Sequence, residues 1–236
     1  MDTQRAALAL ASVSEALVLD HDTAGFLANV LNSCQDVLAS DTSGILSAPT
    51  GQPLQLLAAS SHKSAELELH QSQIDEGPCV DARNDNAAVS ASGDDEIRAR
   101  WPVWGEAMID AGFHAIHSSP LRWHDRTLGA MGLFRISPEP FTPYENAIAQ
   151  AFADTVALLI VHGDPVDLDR IDHRIEVALS TRIVVEQAKG VLAQQRHVAM
   201  DEAYVSLVRL AASEGRTLTD IAHEVIAQAA GRTTES

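Results

Sequence analysis

Ser180-Thr-Arg-Ile-Val-Val-Glu-Gln-Ala-Lys-Gly-Val-Leu192 is an apolar helical pattern that is interrupted by charges at regular places. Arg182 and Lys189 are seven residues apart, which is two turns of an α-helix, so they share one face. Ala188 and Gly190 flank the lysine and carry almost no side chain. The stretch therefore predicts a flat, cationic helix face beside bare backbone, which suits a phosphate backbone or an unstacked base better than a protein core. The alternative is that Lys189 is simply a solvated helix residue.

The apolar spacing around this stretch predicts one long helix followed by two shorter ones. From Asp167 onward, apolar residues recur at intervals of three, four and seven. These residues are Ile171, Ile175, Ala178, Val185 and Leu192. Such a register predicts a linker helix over residues 164–179 that forms a short coiled-coil seam between subunits. A second helix over Asp201–Ser213 ends at Gly215, and Thr217 caps a third, so the C-terminal part is predicted to be a small three-helix bundle.

Residues 1–163 alternate between helical patterns and short strand patterns. Thr42–Leu46 and Leu54–Ser60 flank a turn-prone segment and predict a hairpin, and Thr127–Ile136 is the longest strand candidate. Thr142-Pro143-Tyr144-Glu145 combines a capping box with proline at the first helical position, which predicts a helix through His162. Helices around several mostly antiparallel strands define an α+β fold. Gly163-Asp164-Pro165 then breaks the helix and predicts the domain boundary.

Charge is distributed unevenly along the 236 residues. The formal net charge is -17; residues 1–167 hold 8 basic and 23 acidic residues, whereas residues 168–236 hold 8 and 10. General coating of nucleic acid is therefore excluded, and any polyanion contact must be local to the C-terminal part. The two cysteines, Cys34 and Cys79, occur without a signal peptide or a long apolar run, which favours a reducing cytoplasm and argues against a membrane role.

Four segments of the N-terminal part carry a family likeness. They are Gly77-Pro78-Cys79-Val80-Asp81-Ala82, Arg100-Trp101-Pro102, Pro120-Leu121 leading to Leu128-Gly129-Ala130-Met131-Gly132-Leu133, and Phe141 with Phe152-Ala153-Asp154. In this order they resemble a GAF domain, a sensory or dimerising module built on an antiparallel sheet flanked by helices. Many GAF domains bind a small molecule or a tetrapyrrole. The resemblance therefore leaves room for an unknown small-molecule ligand but requires no cofactor.

A second likeness covers residues 168–230. Its residues are Arg182, Glu186-Gln187-Ala188-Lys189-Gly190-Val191-Leu192, Glu202-Ala203-Tyr204 with Leu207, Arg209 and Ala211, and Thr217-Leu218-Thr219-Asp220-Ile221-Ala222. Together they resemble an ANTAR domain, an RNA-binding antiterminator module. The resemblance implies that a homodimer captures tandem small hairpins in a nascent leader RNA and so prevents an intrinsic terminator from forming. It also implies that a linked sensory domain controls dimerisation or exposure.

Hairpin loops display splayed bases, which proteins read by stacking and by edge contacts, with Arg and Lys on adjacent phosphates. The predicted RNA-binding residues are Arg182, Gln187, Ala188, Lys189, Gly190, Arg209 and Thr217. Tyr204 fits the bundle core better, because its neighbours at three- and four-residue spacing are apolar. Two departures from the family pattern are Ala199, where a capping Ser or Thr is usual, and Val191-Leu192-Ala193 after the glycine. Both bear on local stability more than on the contacts.

Other functional classes have weaker support. His114 and His117 are three apart in a strand pattern and so point to opposite faces, which suits a metal site poorly. The sequence has no phosphate-binding glycine loop, no nucleophile elbow and no zinc-spaced cysteine set, so an enzyme is the least favoured class. A helix-turn-helix DNA-binding regulator is the main alternative, but its recognition helix would be Thr219–Ala229, which contains no Lys or Arg.

The sequence thus predicts a cytoplasmic, non-enzymatic GAF–ANTAR regulator that binds RNA as a dimer and has no DNA or membrane partner. A purely structural dimerisation scaffold remains the other alternative. It gains support if Lys189 and Arg182 pair with Glu186 or Glu176 instead of facing a ligand.

Overall fold

The computed structural model describes residues 3–19, 22–161 and 168–233. The predicted domain boundary at Gly163-Asp164-Pro165 and the end of the preceding helix at His162 lie outside these residues. The described elements are α1 (Thr3–Leu19), α2 (Thr23–Leu38), β1 (Thr42–Ser47), β2 (Gln55–Ala59), α3 (His62–Ile74), α4 (Pro78–Asp85), β3 (Val89–Ser92), α5 (Asp94–Arg100), α6 (Trp104–Asp110), β4 (Ala115–Trp123), β5 (Arg126–Arg135), α7 (Pro143–Val161), α8 (Leu168–Arg196), α9 (Met200–Glu214) and α10 (Leu218–Thr233). Their order confirms the predicted α+β class with a helical C-terminal part.

The five strands form one antiparallel sheet in the order β2-β1-β5-β4-β3. β1 and β2 are the predicted hairpin, and β5 is the longest strand, as the sequence indicates. Because β5 lies at the centre of the sheet, its residues from Leu128 to Arg135 are all buried. The predicted capping box begins α7: the Thr142 N–H donates to Glu145 Oε2 at 2.7 Å, and the Glu145 N–H donates to Thr142 Oγ1 at 3.2 Å.

One face of the sheet packs against α1, α2 and α7. Val13, Phe26, Leu31, Met131 and Phe152, all buried, belong to the apolar cluster between these helices and the sheet. The first turns of α8 join the same cluster through Ile175 and Ala178, so the long helix begins on the N-terminal domain and ends in the C-terminal bundle.

The opposite face is covered by α3 to α6 around Trp101, Trp104 and Phe134. The two tryptophan rings meet edge to face, with centroids 5.6 Å apart. The sequence from Gly93-Asp-Asp-Glu96 onward predicts one helix that carries Trp101, Trp104 and Met108, and this prediction is wrong. Pro102 cannot donate to a helix and holds Trp101 in an extended conformation, with φ -133° and ψ 83°, so the segment divides into α5 and α6.

A buried polar cluster lies between α3 and the centre of the sheet. Glu68 is fully buried; its Oε2 accepts a hydrogen bond from Gln71 Nε2 at 2.5 Å, and its Oε1 lies 3.8 Å from Cys79 Sγ. Gly44 and Gly132, paired across β1 and β5, leave the room that this carboxyl occupies, because a Cβ on either would lie 2.6 Å from a Glu68 side-chain atom. Burial raises the pKa of Glu68 to about 8 and the pKa of Cys79 well above its ordinary value, so the thiol is unreactive at neutral pH.

The C-terminal helices form the predicted three-helix bundle. Val185, Leu192, Leu207 and Ile221 are buried together where α8, α9 and α10 meet. α9 ends in a left-handed Gly215, whose φ is 62°. As predicted, Thr217 caps α10, since its Oγ1 accepts a hydrogen bond from the Asp220 N–H at 3.0 Å.

The apolar register that predicts a coiled-coil seam is occupied within one chain. Ile175 and Ala178 are buried against the N-terminal domain, and Val185 and Leu192 are buried in the bundle core. Each of these side chains already has a packed neighbour, so a two-chain seam through them requires α8 to leave the N-terminal domain. In this conformation the register serves packing inside the chain.

Candidate nucleic-acid interface

Lys189 is not the exposed cation that the sequence predicts. It is only 5% exposed, and its Nζ lies 2.7 Å from Glu186 Oε2 and 2.9 Å from Oε1. The same Nζ lies 6.0 Å from the centroid of the Tyr204 ring. Both the prediction of an exposed platform and the alternative of a solvated helix residue are therefore wrong for this conformation. The Glu186 carboxylate, one turn away, offsets part of the cost of burying this side chain.

Glu186 lies between the two basic residues on the same face of α8. It is four residues after Arg182 and three before Lys189, so all three side chains follow one stripe. Arg182 is half-buried; burial lowers its pKa, and the nearby Glu186 charge opposes that shift. The stripe is therefore a paired cation–anion–cation row rather than a free positive surface.

Tyr204 borders this row from α9. It packs partly against the bundle core, as its spacing predicts. Burial raises the pKa of its hydroxyl to about 12, and the charges of Glu186 and Asp22 act in the same direction. The hydroxyl therefore keeps its proton at physiological pH and can donate a hydrogen bond.

The other predicted contact residues fall into two groups. Ala188 is fully buried in the bundle core, whereas Gln187 and Arg209 are exposed and Gly190 is half-exposed. A Cβ added at Gly190 would meet no atom within 4 Å, so the backbone there is open to close approach. Arg209 is two residues beyond the buried Leu207, about 200° further round α9, and so faces away from the bundle core.

The face that carries Arg182 and Lys189 is turned toward the N-terminal domain. α8 packs against α2 and β2. A small cavity of about 30 Å³ lies at this contact. Its walls are Ala24, Leu27, Leu57, Ala58 and Ala59 on one side and Ala178, Arg182, Val185, Glu186, Tyr204 and Leu218 on the other. Both partners of Lys189, Glu186 and Tyr204, therefore line the contact between the domains.

Two aspartates that no sequence pattern singles out for this role connect the domains. The sequence offers Asp20 or Asp22 as the cap of α2; Asp22 stands at the N-cap position, but its carboxylate bonds to α10 instead. Its Oδ2 accepts from the Leu218 N–H at 2.6 Å, and its Oδ1 accepts from Thr219 Oγ1 at 2.8 Å. In the opposite direction, Asp201 Oδ1 accepts from the His62 N–H at 2.6 Å.

His114 and His117 have different hydrogen-bond partners, and His114 lies just before β4 rather than in it. His114 Nδ1 lies 2.6 Å from Asp94 Oδ1, while His117 is fully buried between the hydroxyls of Ser90 and Ser119, at 2.7 and 2.9 Å. Burial lowers the pKa of His117 to about 4, and the neighbouring Arg135 charge acts in the same direction. Among the described residues, no group of three or more His, Cys, Asp or Glu side chains is arranged to hold a metal ion.

A five-stranded antiparallel sheet with helices on both faces is joined through one long helix to a three-helix bundle, so the chain combines an α+β domain with a small helical domain. The family model of the GAF domain matches residues 22–160, and that of the ANTAR domain matches residues 173–226. The chain belongs to the GAF domain family and has the GAF–ANTAR architecture. ANTAR domains are RNA-binding antitermination domains, so the chain joins a sensory module to an RNA-binding one. None of the described helices has the length and apolar character that a membrane crossing requires.

Solved structures agree with the fold of the N-terminal domain. The GAF domain of an Acinetobacter phosphoenolpyruvate-protein phosphotransferase is 13% identical, with a TM-score of 0.53 over 69% of this chain and 96% of that one. The GAF domain of a phosphoenolpyruvate-protein phosphotransferase from Coxiella burnetii is 14% identical, with a TM-score of 0.55 and the same coverage. At such identities the likeness concerns the fold alone. No curated protein matches the chain.

Proposed function

We propose that this protein is a cytoplasmic antitermination regulator that binds tandem small stem-loops in nascent leader RNA as a homodimer, under the control of its GAF domain. The ANTAR match over residues 173–226 carries the proposal, because it coincides with the three-helix bundle that holds the Arg182–Lys189 stripe. Gly190 and Gln187, beside that stripe, offer open backbone and an exposed amide to a splayed base.

Replacing Lys189 with methionine tests the RNA contact directly. Methionine keeps the apolar stem in its buried position and removes the charge, while Glu186, about one-third exposed, stays solvated. We expect the affinity of the full chain for a tandem stem-loop RNA to fall by roughly tenfold or more. The affinity should also depend less steeply on salt concentration, by the amount expected for the loss of about one phosphate contact. Fluorescence anisotropy titrations at several salt concentrations measure both quantities, with duplex DNA of the same sequence as competitor.

The matched control is Lys63→Met. Lys63 is the other lysine of the chain and is exposed on the GAF domain, where its Nζ donates to the Ala111 carbonyl. The Lys63→Met variant should have the same RNA affinity as the wild-type chain. Equal affinities for Lys189→Met and the wild-type chain, or equally effective competition by duplex DNA, would refute the role of Lys189 in RNA binding.

Gly190→Ala should have opposite effects on folding and on RNA binding. A methyl group at this helical position meets no protein atom, so alanine should stabilise the bundle by about 1 kcal/mol. If RNA approaches the bare backbone there, the same methyl group should weaken RNA binding several-fold. Thermal unfolding and RNA titration of the same preparation measure the two effects, and Gln194→Ala, at an exposed site four residues on, is the control. A rise in both stability and affinity would exclude close approach at Gly190.

The pairing of Lys189 with Glu186 favours one other candidate function, a structural dimerisation scaffold. The sequence supports a scaffold if both Lys189 and Arg182 pair with Glu186 or Glu176, and the structure shows such an ion pair for Lys189. A scaffold would bind no RNA, and Lys189→Met would change only the stability of the bundle. The titrations above therefore separate the two functions.

A further inference from the structure

We propose that Asp22 and Asp201 form a latch that holds the ANTAR domain closed against the GAF domain and keeps the Arg182–Lys189 stripe away from RNA; this rests on the RNA-binding function proposed above. Each domain contributes one of these aspartates, and each carboxylate satisfies the first N–H of a helix in the other domain. We call the pair the aspartate latch.

The Asp22 half of the latch completes the beginning of α10. A helix N-terminus presents unpaired N–H groups and partial positive charge, which a carboxylate stabilises. Thr217 satisfies the Asp220 N–H, and Asp22 satisfies the Leu218 N–H and the Thr219 hydroxyl. Asp22 is 7% exposed, and it lines a cavity of about 420 Å³ between the domains; hydrogen bonds to a carboxylate are stronger than those between neutral groups.

The local sequence around Asp22 is shaped for this contact. Gly25, one turn further on in α2, lies beside the carboxylate, and a Cβ there would stand 2.5 Å from Asp22 Oδ2. A larger residue at position 25 would therefore push the carboxylate away from α10. Gly25 leaves the room in which the Asp22 carboxylate lies over the first turn of α2 and reaches the other domain.

The Asp201 half repeats the arrangement in the opposite direction. His62 is the first residue of α3, and its N–H donates to Asp201 Oδ1. The N-cap residue Ser61 accepts from the Ser64 N–H, so the local cap and the cap from the other domain satisfy different N–H groups. The first N–H of α3 and the first N–H of α10 thus each take a hydrogen-bond acceptor from the other domain.

The latch closes over the predicted RNA-contact stripe. Arg182, Glu186 and Tyr204 line the small cavity between the domains, and Lys189 bonds to Glu186. An RNA phosphate reaches Arg182 and Lys189 only after the GAF domain has moved away. We therefore expect closure by the latch to compete with binding of RNA to the stripe.

Opening would also release the first part of α8. Ile175 and Ala178 are buried against the GAF domain, and they belong to the register that predicts a coiled-coil seam. A signal that breaks the latch would make both the basic stripe and this register available to RNA and to a second copy of the chain.

Asp22→Ala in the full chain tests the latch. Losing a cap of this kind shifts a folding or docking equilibrium by roughly two- to thirty-fold, so RNA affinity should rise by about tenfold. Gly25→Ala displaces the carboxylate without removing its charge and should act in the same direction. Combining Asp201→Ala with either variant should raise the RNA affinity further. Asp36→Ala, an exposed aspartate of the same helix α2, is the control and should change nothing.

Hydrogen exchange gives a readout that does not depend on RNA. In Asp22→Ala and Gly25→Ala, amides at the start of α10 and α3 should exchange faster than in the wild-type chain. Faster exchange together with tighter RNA binding supports the latch. Faster exchange with unchanged RNA affinity, in a wild-type chain that binds RNA, overturns it. If neither the wild type nor any variant binds RNA, the proposed function fails and the gating role fails with it, while exchange still reports whether the aspartates hold the domains together.

Discussion

We expect the wild-type protein to lose stability as the pH rises from about 4.5 to about 8, and we expect Glu68→Gln to abolish this loss. Burial raises the pKa of Glu68 to about 8 from an ordinary value of 4.5. Over that interval the unfolded chain releases the proton while the folded chain retains it, so the unfolding free energy falls as the pH rises. At about 1.4 kcal/mol for each pKa unit, the fall amounts to several kcal/mol and levels off above the folded-state pKa.

Glutamine should abolish this slope because its amide cannot ionise and has nearly the same shape as the protonated carboxyl. The variant and the wild type should have similar stabilities near pH 4.5 and differ most near pH 8, where the variant is the more stable. Urea unfolding at a series of pH values measures the difference. Glu66→Gln, at an exposed position of the same helix, should leave the slope unchanged. A wild-type slope equal to that of Glu68→Gln would show that the buried carboxyl does not retain its proton.

Glu68 also shows why α3 could not be predicted from the sequence. Helices are recognised from an apolar stripe, but the buried side of α3 carries Ser64, Glu68 and Gln71 beside Ala65 and Leu67. Polar residues therefore occur on every side of α3, and no continuous apolar stripe marks the segment as a helix. β1, β2 and β5, by contrast, follow the simple rules of apolar runs bounded by turn residues and were predicted nearly to the residue.

The sequence predicts which residues share the face of the candidate interface, but it does not predict how exposed these residues are. The spacing of Arg182 and Lys189 correctly places them on one face, and the ANTAR likeness correctly identifies the bundle. Nothing in the sequence indicates that this face turns toward the GAF domain. Docking depends on contacts such as Asp22 with Leu218, 196 residues apart, and a single sequence carries no signal for pairs at such a separation. For the same reason the sequence marks Asp22 as the N-cap residue of α2 but does not indicate that its side chain bonds to α10.

Two glycines of β5 should respond very differently to alanine. At Gly132, the new Cβ would lie 2.6 Å from Glu68 Oε1, a side-chain atom; at Gly129, it would lie 2.0 Å from the Leu46 carbonyl oxygen and 2.8 Å from Ser47 Cα, which are backbone atoms of β1. We expect Gly132→Ala to destabilise the GAF domain by about 3 kcal/mol, an overpacking cost. Gly129→Ala should cost more, because β1 must separate from β5 to make room.

Shortening Glu68 distinguishes the two cases. In a Glu68→Ala background the atom that meets the Gly132 Cβ is gone, so Gly132→Ala should cost much less than in the wild-type chain, whereas the cost of Gly129→Ala should not change. A double-mutant cycle measured by urea unfolding at pH 5, where Glu68 is protonated, gives the two coupling energies without a contribution from its charge. Equal costs of Gly132→Ala in both backgrounds would mean that the sheet itself, rather than the buried carboxyl, requires glycine at position 132. A large coupling would instead show that Gly132 is there to hold an ionisable group at the centre of the GAF domain.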